Sequence, residues 1–312
     1  DMEGAANNFK QEIASKNFDQ VKKEANELWN KELSRIQISG GTDDEKTIFY
    51  TALYHTMIDP RIYTDVDGRY IGGDYKVHTS DSTFTKHTIF SGWDVFRSQF
   101  PLQTIINPGL VSDELNSLIS MADQSGREYY ERWEFLNSYS GCMLGNPALS
   151  VLADAYVKGI RTYDAEKAYK YAVNTSCRFG NDSLGYTPGV LSISHTLEYA
   201  YADWCISQLA KALGKEDDAK RFFEKGQAYH NIFDKEKGWF RPRNVDGTWQ
   251  AWPENARLIE WYGCIEANAY QQGWFVPHDV LGMVNLMGGK EKVIADLAVS
   301  YTHLTLPTTS RV

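Results

Sequence analysis

The chain has 312 residues, of which 42% are hydrophobic and 23% are charged, and its formal net charge is −9. This composition is typical of a globular protein with a sizeable core, and it excludes a disordered or fibrous chain. The negative charge argues against nucleic acid as a partner, because phosphate backbones attract basic surfaces.

No stretch of the sequence approaches the run of consecutive apolar residues that a membrane-spanning helix needs, so no membrane span is expected. The first residues, DMEGAANNFKQEIASK, do not have the basic and then apolar pattern of a signal peptide, so none is expected in this chain. The cysteines are far apart and form no C-x-x-C pair, which argues against zinc or redox chemistry. We therefore predict buried free thiols at Cys142, Cys177, Cys205 and Cys264.

The chain begins with a helical pattern on a strongly charged background. Apolar residues recur at helical spacing over 8–38 without a glycine or proline, which predicts a solvent-facing lead-in helix within a linker segment, 1–40. Thr42 and Glu45 then form a T-x-x-E capping box before an apolar run that ends ahead of Pro60. A second helix is therefore predicted after the linker.

Residues 61–92 change character, since Asp67 and Gly68 lie between short runs rich in tyrosine, isoleucine and valine. This pattern predicts a β-hairpin inserted between helices. From about residue 93 onward, capping residues and apolar stripes predict one helix after another. These predicted helices cover 146–159, 164–176, 194–213 and 216–231.

A second β-like interruption follows in GWFRPRNVDGTWQAW, where Asp246 and Gly247 form a turn signal. A helical pattern then returns through Ala269 and again over 277–287. The last residues, SYTHLTLPTTSRV, break the helical pattern with threonine and proline, so 299–312 is predicted to be a non-native tail.

Long helices broken by loops predict an all-α fold over 41–298, an α/α toroid in which an inner ring of helices is wrapped by an outer ring. In such a toroid the loops at one mouth carry the functional residues. A solenoid of helical pairs is the alternative, because 197–231 resembles one helix–turn–helix repeat. No second copy recurs at a fixed period, which favours the toroid.

The segment FSGWDVFRSQFPL places Trp93, Asp94 and Arg97 at the start of a predicted helix, directly after a loop. An indole ring can stack on the face of a sugar, and an adjacent carboxylate can accept hydrogen bonds from two neighbouring hydroxyls. This pairing is typical of a sugar subsite. The alternative is that Asp94 caps the helix and Trp93 packs in the core.

The segment WYGCIEANAYQQGWFVPHD places Glu266, Asn268 and Gln271 within a run rich in aromatic residues. Desolvation in apolar surroundings raises the pKa of a carboxyl group, which then stays protonated and can donate a proton to a departing oxygen. Glu266 thus meets the requirement for a general acid. The alternative, a glutamate on a helix surface beside a polar patch, stays open.

A third group of polar residues lies in SHTLEYAYADW. Glu198 and Asp203 are five residues apart and do not share one helix face cleanly, so one can line the centre of the fold while the other does not. His195 is predicted to be a capping or core histidine. No H-E-x-x-H or other close pair of metal ligands occurs in the sequence, which excludes a transition-metal motif.

Together these segments resemble glycoside hydrolase family 92, the calcium-dependent exo-acting α-mannosidases, over roughly 40–298. The resemblance is carried, in the family's order, by FSGWDVFRSQFPL, GCMLGNPALSVLADAYVKGI, TLEYAYADWCISQLAKALG, WFRPRNVDGTW and EANAYQQGWFVPHDVLGMVNLMGG. It implies an N-terminal β-sandwich, which this chain lacks, and an (α/α)6 catalytic barrel. The fold expected for this chain is therefore all-α, an incomplete (α/α)6 toroid with short β-hairpin insertions.

The resemblance also implies an inverting mechanism that removes terminal α-linked mannose from mannose-containing glycans. Glu266 would be the general acid that protonates the glycosidic oxygen, and Trp93 with Asp94 would hold the terminal mannose. A calcium ion would engage the mannose 2- and 3-hydroxyls and help to distort the ring. The resemblance does not assign its ligands to residues of this sequence.

Inversion needs a second carboxylate about 6.5 to 9.5 Å from the acid, so that a water fits between it and the sugar. In the family this base comes from an acidic cluster downstream of the Glu266 motif, and this chain ends before it. We therefore expect a catalytic-domain fragment that is inactive as truncated, from a parent that is extracellular or periplasmic. The alternatives are a helical-repeat interaction scaffold and another α/α-toroid glycosidase.

Overall fold

The structure is a computed structural model that describes residues 2–80, 82–181 and 183–303. Over these residues the backbone divides into two compact units, of which unit 1 comprises 2–80, 82–142 and 154–171 and unit 2 comprises 143–153, 172–181 and 183–303. Helices dominate both units. The strands within the described ranges form only two-stranded antiparallel sheets.

The helices of unit 1 are α1 (Met2–Glu12), α2 (Phe18–Leu33), α3 (Asp43–His55), α4 (Gly92–Val95), α5 (Gln99–Ile106) and α6 (Pro108–Gln124). Its strands are β1 (Arg61–Ile62), β2 (Arg69–Ile71), β3 (Val77–Thr79), β4 (His87–Thr88), β5 (Glu134–Phe135) and β6 (Ser138–Tyr139). Helices α7 (Pro147–Val157) and α8 (Ala165–Phe179) contribute residues to both units.

Unit 2 contains the long helix α9 and a series of shorter elements. Its helices are α9 (Ser192–Ala212), α10 (Glu216–Lys225), α11 (Ala269–Gln272), α12 (Val280–Leu286) and α13 (Lys290–His303), with short 3-10 helices at Ala228–Ile232 and Ala256–Leu258. Its strands are β7 (Phe233–Asp234) and β8 (Trp239–Phe240).

The predicted lead-in helix is two helices, because a second capping signal interrupts it. The Asn17 side chain accepts a hydrogen bond from the backbone of Gln20, and the Gln20 side chain accepts one from the backbone of Asn17. This capping box starts α2, which has no buried residue and so faces solvent as predicted. The predicted capping box of Thr42 and Glu45 is confirmed at the start of α3.

The predicted hairpin between residues 61 and 92 is confirmed, but its turn lies elsewhere. Strands β2 and β3 pair with Arg69 opposite Thr79, and the turn between them is closed by a hydrogen bond of 2.8 Å from Gly72 N to Lys76 O. Asp67 and Gly68 form a turn that leads into β2, where the Asp67 carboxylate pairs with Arg69. The Asp-Gly pair was therefore wrongly predicted to join the strands.

Helix α6 supplies much of the core of unit 1 and also holds strand β4. Its buried apolar residues are Val111, Leu115, Leu118, Ile119, Met121 and Ala122. The Ser117 hydroxyl accepts a hydrogen bond of 2.8 Å from His87 N, and the Ser117 carbonyl accepts one of 3.2 Å from the Lys86 ammonium. These bonds fix β4, which leads directly towards α4.

Helix α9 is buried around most of its circumference and organises the core of unit 2. Ile193 and Leu197 belong to a cluster that includes Trp239 of β8, Tyr270 of α11 and Val276. Full burial of such side chains stabilises a fold by roughly 1.5–3 kcal/mol each before entropy is counted. The cluster fixes the start of α9 against the segment that ends in α11.

The second predicted β interruption is confirmed, whereas the helix predicted through Ala269 is wrong. Arg243 and Trp249 form an isolated antiparallel bridge across the turn at Asp246 and Gly247. Between Leu258 and Ala269 the chain is irregular, since several residues there have the positive φ angles that end helices. Helix α11 only begins at Ala269.

The described part of the predicted tail is helical. Helix α13 continues to His303, so 299–303 is helical, and the remainder of the predicted tail lies outside the described residues.

All the cysteines are free. Cys205 and Cys264 are buried as predicted, whereas Cys142 and Cys177 are exposed. None of the helices in the described ranges has the length and apolar character to cross a membrane.

Candidate active site

The predicted sugar subsite of unit 1 lies on the single turn of helix α4. The Ser91 hydroxyl donates a hydrogen bond to the Asp94 carboxylate, and Asp94 N donates one of 2.9 Å to Ser91 O. Asp94 lies inside α4 and is not its N-cap residue, which is Ser91. Asp94 is exposed, Trp93 is half-buried, and the Arg97 guanidinium lies 4.4 Å from the centre of the Trp93 ring.

This arrangement keeps an aromatic ring and a carboxylate side by side at the protein surface. The Arg97 cation over the indole favours one orientation of the Trp93 ring. The Asp94 oxygens remain accessible to solvent, and a carboxylate can accept hydrogen bonds from two neighbouring sugar hydroxyls. The predicted pairing of Trp93 with Asp94 is therefore present as a local geometry in unit 1.

Glu134, a buried residue that the sequence analysis did not single out, binds the segment that leads from β4 into α4. The Glu134 side chain is 1% exposed, and its carboxylate accepts hydrogen bonds of 2.7 Å from the Thr88 hydroxyl and 2.8 Å from Ile89 N. A local pattern could not have revealed these contacts, because the partners are more than 40 residues apart in sequence.

The surroundings of Glu134 contain two further titratable groups with shifted pKa values. Burial lowers the pKa of the Lys86 ammonium to about 7, against the attraction of Glu134. Burial raises the pKa of the Glu131 carboxyl to about 7, although Arg127 forms an ion pair with it. The surroundings of Glu134 therefore combine low solvent access with several ionisable groups, which is common near functional sites.

Glu266 of unit 2 lies on a tightly held loop directly before α11. Its φ is 48°, a left-handed conformation that residues other than glycine rarely adopt. Ile265 N donates a hydrogen bond of 2.9 Å to the buried Ser194 hydroxyl of α9, and Trp261 N donates one of 3.0 Å to Ala267 O. Such conformations persist only where the surroundings impose them, and they are frequent at active sites.

Both ends of the Glu266 loop are fixed by specific local features. Gly263 has a φ of 77°, and a Cβ atom there would come within 2.5 Å of Ile193 and 2.9 Å of Pro242. Asn268 and Gln271 exchange side chain to backbone hydrogen bonds in a capping box that starts α11. The loop therefore presents Glu266 from a defined position.

The apolar enclosure predicted around Glu266 is wrong for the described residues, because Glu266 is exposed. The aromatic residues of the motif pack elsewhere. The rings of Tyr270 and Trp274 lie 5.5 and 4.9 Å from that of the buried Trp239, measured between centroids. They belong to the core beneath the loop and do not cover the carboxyl group.

Glu198 and Asp203 of α9 are both buried, whereas only one of them was expected to face the centre of the fold. Asp203 accepts a hydrogen bond of 2.5 Å from the Ser176 hydroxyl, and its carboxylate lies 3.6 Å from the Lys225 ammonium. Glu198 is buried beside Gly145, where an added Cβ would approach its carboxylate to 3.1 Å. Both can face inward because α9 is enclosed on nearly every side.

The calcium ion expected from the family resemblance has no ligands assigned in this sequence. In the ranges that the structure covers, no group of at least three histidine, cysteine or acidic side chains is arranged to hold a metal ion. Near Glu266, the amide oxygens of Asn268 and Gln271 each accept a backbone hydrogen bond within the capping box.

Comparison with known proteins gives a match along almost the whole chain. The profile described as "Glycosyl hydrolase family 92 catalytic domain" matches residues 4–310. A relative from Arthroderma benhamiae, described as an "Uncharacterized secreted glycosidase", is 28% identical over 350 residues, which cover 96% of this chain and 40% of the relative.

Solved structures give the same match in three dimensions. A family GH92 alpha-mannosidase from Bacteroides thetaiotaomicron is similar with a TM-score of 0.87 and 33% identity, covering 95% of this chain and 40% of that one. A family GH92 inverting mannosidase from the same organism has a TM-score of 0.87 and 34% identity, covering 95% and 42%.

The chain thus spans about two fifths of the length of these relatives. The predicted fold class, all-α with short β-hairpin insertions, is confirmed by these matches together with the helices and two-stranded sheets of the described residues.

Proposed function

The chain belongs to glycosyl hydrolase family 92, and on that premise we propose that its parent protein is an inverting exo-acting α-mannosidase acting on mannose-containing glycans. The observation that carries the proposal is the Glu266 loop, which holds one exposed carboxyl group at a left-handed backbone position. Similarity to structures named as GH92 alpha-mannosidases supports the choice of sugar.

We assign Glu266 the role of general acid. Its protonated carboxyl group would donate a proton to the glycosidic oxygen as the bond to the anomeric carbon breaks. A general acid also needs desolvation, which the described residues do not supply to Glu266. The bound glycan and the rest of the parent protein would provide it.

Trp93 and Asp94 are proposed to hold the terminal mannose. The Asp94 carboxylate would accept hydrogen bonds from two neighbouring hydroxyls, and the Trp93 ring would contact the apolar face of the sugar. The support for this role is local, namely the exposure of Asp94 and the orientation of Trp93 by Arg97.

The catalytic base is proposed to lie in the part of the parent beyond this chain, so that the chain alone is inactive. Inversion needs this base to activate a water on the face of the sugar opposite the leaving group. The parent would also contain an N-terminal β-sandwich and a complete (α/α)6 barrel. A relative described as secreted supports an extracellular or periplasmic location.

Calcium dependence of the parent is also proposed, and it rests on the family resemblance alone. The described residues bring together no cluster of acidic, histidine or thiol ligands. We assign no residue of this chain to the calcium ion and no catalytic step to the metal. Loss of calcium from the parent should lower its melting temperature as well as its activity, and calcium should restore both.

The test compares Glu266→Gln with the wild type in the complete parent protein. The variant should lose about 100-fold or more in kcat/KM on α-mannosides with alkyl leaving groups, and much less on those with a nitrophenolate leaving group, which needs no proton. Glu260→Gln is the matched control, since Glu260 is an exposed glutamate upstream in the same sequence segment.

Each outcome separates one function from another. Equal losses on both leaving groups, or no loss, would remove Glu266 from the role of general acid. A parent that cleaves other glycosides but no α-mannoside would be a different α/α-toroid glycosidase. A parent that cleaves no glycoside would favour the interaction scaffold.

A further inference from the structure

We infer that Glu134 is a positioning residue for the substrate site at Trp93 and Asp94, a role that rests on the function proposed above. Glu134 lies at the start of β5 and is buried, so it would not touch the glycan itself. It acts through the backbone that leads from β4 into α4.

The Glu134 carboxylate accepts hydrogen bonds from two segments of unit 1. One oxygen accepts from the Thr88 hydroxyl at 2.7 Å and from Asn137 N. The other accepts from Ile89 N at 2.8 Å and from Phe90 N at 3.4 Å. The backbones of Glu134 and Phe90 also form an antiparallel bridge, with hydrogen bonds of 3.0 and 3.1 Å.

The residue held most directly, Ile89, has a strained backbone. Its φ is 65°, and a β-branched residue in this left-handed region is a true outlier because its side chain crowds the backbone. Such strain persists only where neighbouring contacts impose it. The carboxylate of Glu134 accepts a hydrogen bond from Ile89 N itself, so it is one of the contacts that hold Ile89 in this conformation.

The conformation of Ile89 sets the direction in which the chain enters α4. Ile89 follows strand β4, which pairs with β1, and only Phe90 and Ser91 separate it from the helix. Ser91 in turn donates its hydroxyl hydrogen to the Asp94 carboxylate. A change of backbone at Ile89 would therefore displace Ser91, Trp93 and Asp94 together.

The experiment measures KM and kcat of the complete parent enzyme on an α-mannoside. Glu134→Gln replaces one carboxylate oxygen by an NH2 group, which cannot accept the hydrogen bonds of the donors that face it. KM should rise about tenfold or more while kcat changes less than about threefold, because displacement of Trp93 and Asp94 would weaken substrate binding. The pH profile of kcat should not change, because Glu134 exchanges no proton.

A second substitution distinguishes positioning from general stability. Glycine adopts a positive φ without strain, so Ile89→Gly should make the turn less dependent on Glu134. In the Glu134→Gln background it should bring KM back to within about threefold of the wild type. Glu114→Gln is the control, a buried carboxyl of α6 whose pKa burial raises well above its ordinary value. It should leave KM unchanged.

The KM values of these variants test the positioning role of Glu134. A KM for Glu134→Gln within about twofold of the wild type, or no recovery with Ile89→Gly, would overturn it. If Glu134→Gln does not fold, Thr88→Val removes one of the same donors, and an unchanged KM in that variant would also overturn it. Asp94→Asn is measured in parallel. An unchanged KM there would remove Asp94 from the proposed substrate site, and the role of Glu134 with it.

Discussion

Replacement of Ser194 by alanine should destabilise unit 2 and loosen the Glu266 loop. The Ser194 hydroxyl is fully buried, accepts a hydrogen bond of 2.9 Å from Ile265 N, and donates one to the Gln272 side-chain oxygen. Without it, both partners lose their hydrogen bond in a region with little access for water. The hydroxyl therefore joins α9 to both sides of Glu266.

The loss of unfolding free energy in Ser194→Ala depends on how deeply its two hydrogen-bond partners are buried. Gln272 is buried, so its unpaired oxygen should cost about 1–3 kcal/mol, and the half-buried Ile265 N should cost about 0.5–1 kcal/mol more. We expect a loss of about 1.5–4 kcal/mol in the free energy of unfolding of unit 2. That is a large part of the roughly 5–15 kcal/mol typical of a domain.

The assay is denaturant unfolding combined with hydrogen exchange of the Ile265 amide. Ser207→Ala is the matched control on α9, because the buried Ser207 hydroxyl donates to the carbonyl of Trp204 and accepts from the Gln208 side chain, both within the same helix. It should cost less than about 1 kcal/mol. Equal losses in the two variants, with the Ile265 amide still protected in Ser194→Ala, would refute the reasoning.

Further expectations concern a buried lysine and a glycine of the Glu266 loop. Burial lowers the pKa of Lys86 from 10.5 to about 7. The unfolded state therefore binds more protons between these values, and wild-type stability should rise with pH there by up to about 1.4 kcal/mol per unit. Lys86→Met should remove that rise, so equal slopes in the two proteins would contradict the assignment. Gly263→Ala should destabilise more than Gly159→Ala, because both glycines have positive φ but only Gly263 is crowded by Ile193; equal melting temperatures would contradict this.

Local patterns predicted the elements that short-range chemistry determines. The capping box of Thr42 and Glu45 depends on contacts three residues apart, and so does the missed capping box at Asn17. The turn at Asp246 and Gly247 was likewise predicted from adjacent residues. The turn at Asp67 and Gly68 was misplaced because an Asp-Gly pair favours a turn without specifying which strands it joins.

Long-range contacts explain what the sequence could not predict at the site. Glu134 lies more than 40 residues from Thr88 and Ile89, so nothing near it in the sequence indicates that it binds the segment before α4. Glu266 was expected within an aromatic enclosure, since the motif is rich in aromatic residues. Two of them, Tyr270 and Trp274, pack on Trp239, a contact that sequence spacing does not reveal.

The most direct test of the central claim is proton NMR of an α-mannoside during hydrolysis by the complete parent enzyme. An inverting α-mannosidase should release mannose as the β-anomer, with the α-anomer appearing only later through mutarotation. First release of the α-anomer would contradict inversion. Absence of mannose release, with hydrolysis of another glycoside under the same conditions, would contradict the proposed α-mannosidase function.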